Sequence, residues 1–85
     1  MEPRPQRTSG IEIKEVDDGF VIHEPGRDRL HYLNHTAVVV LELCTGAHTA
    51  ARIAQLVQAA YALPAPPDAE VALVLDQLRD EGLIR

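Results

Sequence analysis

The chain has 85 residues, with thirteen Asp and Glu against eight Lys and Arg and a formal net charge of −5. That length holds one domain with a modest core, too small for a deep, dry enzyme active site of its own. The acidic balance repels phosphate backbones and argues against nucleic acid as a partner, while 46% hydrophobic and 25% charged residues exclude a disordered chain.

The stretch from Met1 to Gly10 is polar and proline-containing, unlike a signal peptide, and residues 1–10 are expected to form a flexible arm. Order is expected from Ile11, so residues 11–85 form the single domain. Ile11 and Ile13 alternate with Glu12 and Lys14, the period-two pattern of a half-buried strand extending to Val16. Asp17-Asp18-Gly19 is a turn signal, because Gly tolerates positive φ and Asp bonds its own backbone. Phe20 to His23 reads as a second strand, Pro25 to Asp28 as another turn, and Arg29 to Leu33 as a third strand. Three strands joined by tight turns form an antiparallel meander with the first and third strands at its edges.

Asn34 has the side chain of a helix N-cap, and a nearly all-apolar helix is expected from His35 to Cys44, ending at Gly46. Thr49 caps a second helix whose stripe is Ile53, Leu56, Val57 and Ala60. Pro64, Pro66 and Pro67 break the chain. A third helix is expected from Asp68 to Glu81, with Asp68 and Glu70 complementing its dipole and Val71, Val74, Leu75 and Leu78 as its stripe. Gly82 caps this helix, and Leu83-Ile84 return to the core. The predicted fold class is α+β, winged helix-turn-helix-like, a three-stranded antiparallel sheet followed by three helices.

No residue pattern calls for catalysis, a cofactor or a metal. The four histidines, His23, His31, His35 and His48, fall on four different elements, and the break after Leu33 spoils any helical facing of His31 and His35. Cys44 has no internal disulfide partner and reads as a small apolar residue at the end of the first helix rather than a nucleophile. No nucleophile elbow, dinucleotide fingerprint or phosphate-binding loop is present. No apolar run approaches the roughly 20 residues needed to cross a bilayer, so a cytoplasmic protein is expected.

The third helix would be the groove-reading helix of a winged-helix DNA regulator, but Asp68, Glu70, Asp76, Asp80 and Glu81 face only Arg79 in charge. The third strand is a better candidate for function. Its residues Arg29, Leu30, His31, Tyr32 and Leu33 include no proline and one full charge, so the edge lacks the usual defences against pairing. An extended peptide added along it would place side chains against the third-helix residues Val71, Val74, Leu75 and Leu78, with Asp76, Arg79 and Arg29 as rim charges. The alternation pairs Leu30 with Tyr32 and His31 with Leu33, and leaves open which face meets the helices. A structural homodimer joined through this edge is a further alternative.

The segment His31-Tyr32-Leu33-Asn34-His35-Thr36-Ala37, continuing through Leu41-Glu42-Leu43-Cys44 to Gly46, resembles the signature region of PqqD-like proteins. Asp17-Asp18-Gly19-Phe20-Val21, the Ile53-Ala54 helix and the terminal Leu78-Arg79-Asp80-Glu81-Gly82-Leu83-Ile84 fit the same family in order and spacing. The resemblance covers nearly all of residues 11–85. It implies a winged-helix-like recognition element without catalytic residues. In that family the leader of a ribosomally made precursor peptide binds between the third strand and third helix. The domain then presents it to a modifying enzyme such as a radical SAM enzyme, a leader peptidase or a cyclase. In this reading the domain is free-standing. The proline-rich Ala62-Leu63-Pro64-Ala65-Pro66-Pro67 loop departs from the more polar loop of many relatives.

Overall fold

The computed structural model describes residues 3–85. Three strands, β1 (Glu12–Val16), β2 (Gly19–Glu24) and β3 (Arg29–Leu33), precede three helices, α1 (His35–Leu43), α2 (Ala50–Tyr61) and α3 (Asp68–Asp80). The strands form one antiparallel sheet in the order β1-β2-β3, so β1 and β3 are its edges. This is the α+β arrangement expected from the sequence.

The two-residue turn at Asp17-Asp18 fixes the first register, with Val16 opposite Gly19 and Ile13 opposite Ile22. The second hairpin sets Ile22 opposite His31 and Phe20 opposite Leu33. Period-two alternation then sorts the side chains. Ile13, Phe20, Ile22 and Leu33 face the helices, while Val21, His23, Leu30 and Tyr32 lie on the other face. The face left open by the sequence is thereby fixed: Leu33 and His31 point inward and are buried, and Leu30 and Tyr32 point outward and are exposed.

Asn34 stops the extended chain and starts α1, its side chain accepting the Ala37 N–H at 2.9 Å. Thr49 does the same for α2 through the Arg52 N–H at 3.2 Å. At the end of α3, Gly82 adopts φ +77°, the left-handed conformation that returns Leu83 and Ile84 to the core. Gly46 also has positive φ, but the C-cap of α1 is Cys44. The core joins Val40 and Leu41 of α1, Ile53 and Val57 of α2, and Val71 and Leu78 of α3 to Ile22 and Leu33 of the sheet.

The expected arm, 1–10, is held over part of its length; Met1 and Glu2 lie outside the described residues. Pro5 is buried. The Arg7 N–H donates to the Cys44 carbonyl at 2.7 Å, the Thr8 N–H to Leu83 at 2.8 Å, and the Arg85 N–H to Gln6 at 2.9 Å. The Gly46 N–H reaches the Pro5 carbonyl at 3.0 Å. These bonds are made by backbone atoms, which leave no periodic trace in the sequence. No helix among the described residues is long and apolar enough to cross a membrane.

Candidate functional site

Among the described residues no fourth strand pairs with the outer side of β3. Alternate residues of that edge therefore present N–H and C=O groups away from β2. α3 packs chiefly on α1 and α2. It meets β3 at one end, where the Glu81 carboxylate stands 3.7 Å from His31 Nδ1.

Glu81, the C-cap residue, marks the flank of α3 that ends nearest the strand. A helix advances about 100° per residue, so Glu70, Val74, Gln77 and Glu81 form one stripe beside the core stripe of Val71, Leu75 and Leu78. Val74 is half-buried against the core, and Glu70 and Gln77 are exposed. On the opposite flank Ala72, Asp76 and Arg79 line a cleft of about 230 Å³ against Thr49, Ala50 and Ala51 at the start of α2.

The residues singled out from sequence accordingly divide. Arg29, Leu30 and Tyr32 are exposed on the open edge strand, and Val74 is half-buried on the α3 flank that ends at Glu81. Leu33, Val71 and Leu78 are buried in the core, and Leu75, also buried, reaches the cleft on the opposite flank of α3. Asp76 and Arg79 pair with each other at 3.5 Å on the far flank, where both line the cleft against the start of α2. The reason is the angular step of the helix: a stripe of apolar residues identifies the core side but not which neighbouring flank borders the sheet edge.

His31 is buried between two carboxylates. Its Nε2 lies 2.5 Å from the Glu24 carboxylate of β2, while Nδ1 faces Glu81. The hydrogen bond from His31 is the main reason the Glu24 carboxyl sits below its ordinary pKa of 4.5; burial opposes the shift, and the charges of His31, Arg27 and Arg29 reinforce it. Arg27 in the second hairpin is 3.8 Å from Glu24. The second Glu81 oxygen is buried and finds no hydrogen-bond partner among the described residues. The two carboxylates occupy opposite ring nitrogens, so they do not converge as metal ligands. The burial of Glu24 and the contact of Glu81 with His31 were not expected from the sequence.

Tyr32 is fixed on the outer face. Its hydroxyl donates to the Asp18 carbonyl at 2.6 Å, and partial loss of solvent around the hydroxyl, followed by the Asp18 hydrogen bond and charge, raises its pKa. Gly19 permits this approach, because a Cβ there would be 2.5 Å from the Tyr32 hydroxyl and 2.9 Å from the Leu33 carbonyl oxygen. The remaining candidates for chemistry are in packing roles. Cys44 is buried, donates to the Val40 carbonyl at 3.2 Å, and has its pKa pushed up to about 11 by burial. His35 stands edge-on between Phe20 and Tyr61, at centroid distances of 5.8 and 6.2 Å. His23 sits 3.5 Å from Glu12 on the outer face. Among the described residues no three His, Cys, Asp or Glu side chains form a group that would hold a metal ion.

A search of curated proteins finds no match. Among solved structures, the chain is similar to one described as lasso peptide synthetase B1 complexed with the leader peptide, with a TM-score of 0.70 and 17% identity. The match covers 96% of this chain and 98% of that one, so the two share a fold from end to end. The family model for coenzyme PQQ synthesis protein D (PqqD) matches residues 19–84, from the start of β2 to the segment after α3. With the meander, the three capped helices and the open β3 edge all inside or bordering that match, the chain belongs to the PqqD family.

Proposed function

We propose that this chain is a non-enzymatic carrier. It captures the leader segment of a ribosomally made precursor peptide as an added strand on β3, in the channel facing α3, and presents it to a peptide-modifying enzyme. The observation that carries this reading is the β3 edge itself. Among the described residues it has no pairing partner, and it carries no proline and one full charge. Strand addition supplies backbone hydrogen bonds that tolerate many sequences, and side-chain contacts with α3 supply selectivity. Membership of the PqqD family and the shared fold with a leader-peptide complex support the same assignment.

In this reading residues 11–85 form the peptide-binding domain. The backbone of Arg29, Leu30, His31, Tyr32 and Leu33 makes the new ladder, and Val74, Glu70 and Gln77 touch inward-facing guest side chains. A winged-helix DNA function is disfavoured by the exposed acids of α3, Asp68, Glu70, Asp76 and Asp80.

The test is amide hydrogen exchange with a peptide selected on this protein from a displayed random library. Exchange at Arg29–Leu33 should slow on binding, with smaller changes along α3. Protection confined to α2 would overturn the assignment.

A further inference from the structure

The outer face of the sheet carries two large apolar side chains that the core does not use. Leu30 is 70% exposed and Tyr32 is 55% exposed, at consecutive outward positions of the edge strand. Val21 lies directly opposite Tyr32 on β2 and is half-buried, which joins the three into one apolar patch. The patch is bounded on the β2 side by His23, opposite Leu30, with Glu12 and Asp28 at 3.5 and 4.0 Å from its ring. Tyr32 is immobilised by Asp18 and by its approach to Gly19, so covering it costs little further side-chain entropy.

A strand added to β3 cannot present all its side chains to α3. Alternate residues must turn to the outer face, where a directly opposite pair brings Cβ atoms within about 4.5–5.5 Å. The outward residues of the guest would therefore lie beside Leu30 and Tyr32. Resting on the strand-addition reading, we propose that the captured peptide is read on both faces: besides the residues facing α3, it carries apolar side chains two positions apart that cover Leu30 and Tyr32. The occupant of the outer patch is thus the guest peptide itself, because the patch is continuous with the edge where that peptide binds.

A displayed library of random twelve-residue peptides, selected on the full chain and in parallel on its Leu30→Thr variant, tests this. Leu30 is exposed and threonine suits a strand, so the variant should fold, which thermal melting verifies. Peptides enriched on the native chain should show apolar preferences in two interleaved period-two sets. Their affinity should fall roughly tenfold on Leu30→Thr, and one of the two sets should vanish from peptides selected on that variant.

Enriched peptides that slow exchange at Arg29–Leu33 yet bind both proteins equally would overturn the two-faced reading and leave strand addition standing. Peptides that leave Arg29–Leu33 unprotected would overturn both. Sedimentation of the peptide-free protein checks the other occupant: a self-association abolished by Leu30→Thr would assign the patch to a second copy and overturn the proposal.

Discussion

At the scale of single residues, Glu24 and His31 show how a small core accommodates charge. Both are buried in line with Ile22 on the inward face, and each satisfies the other. The Glu24 carboxyl titrates below its ordinary value of 4.5, so the folded state holds the charged form better than the unfolded chain does. The resulting stability is fully present above that ordinary value and is lost as the pH falls through the depressed one. Glu24→Gln should therefore destabilise the protein at pH 7 and flatten the acid limb of its stability curve. Urea midpoints measured from pH 7 to pH 3 check this, and a variant curve parallel to that of the native chain would deny Glu24 the role. The charge was visible in the sequence. Its burial was not, because a glutamate at the end of an alternating strand reads as the beginning of a solvated turn.

At the scale of elements, the boundaries were legible wherever a side chain has a local backbone task. Asn34, Thr49 and Gly82 mark helix ends by satisfying or releasing backbone groups, and each does so in the fold. The orientation of α3 was not legible. Its apolar stripe says which side is buried, but the neighbour of each flank depends on how three helices stack. Leu30 and Tyr32 against His31 and Leu33 posed the same problem on β3, since both faces carry large side chains.

The structure resolves α3 into a core stripe and a neighbouring flank carrying Val74, and the two should respond differently to truncation. Leu78→Ala should cost about 2–5 kcal/mol of folding stability through the cavity it leaves. Val74→Ala, at a half-buried position, should cost less than this in stability and weaken peptide binding. Urea unfolding and calorimetry on the same pair of variants separate the effects. Equal losses of stability with unchanged binding in Val74→Ala would remove that flank from the site.

At the scale of the whole molecule, the amino-terminal segment closes the structure. Pro5 to Thr8 bond to the end of α1 and to the segment after α3, so they tie together the two ends of the helical layer. No composition rule reveals this, since the bonds use main-chain atoms of residues that otherwise look like a loose tail. Net backbone hydrogen bonds contribute about 0.5–1.5 kcal/mol each, and ordering the segment offsets much of that. Removing residues 1–8 should lower stability by about 1–2 kcal/mol, a fall in Tm of roughly 5–15 °C for a domain this small. Calorimetric melting measures it, and an unchanged Tm would mean that the segment rests on the fold without bracing it.

The central claim, that β3 accepts a peptide as a fourth strand, is tested most directly by isotope-filtered NMR. The full chain is labelled, and an unlabelled peptide enriched from the random library is added. The account predicts cross-strand contacts between peptide α-protons and amides and those of Arg29–Leu33, together with side-chain contacts to Val74. Contacts confined to the cleft between Thr49 and Arg79, with no backbone contact to β3, would contradict it.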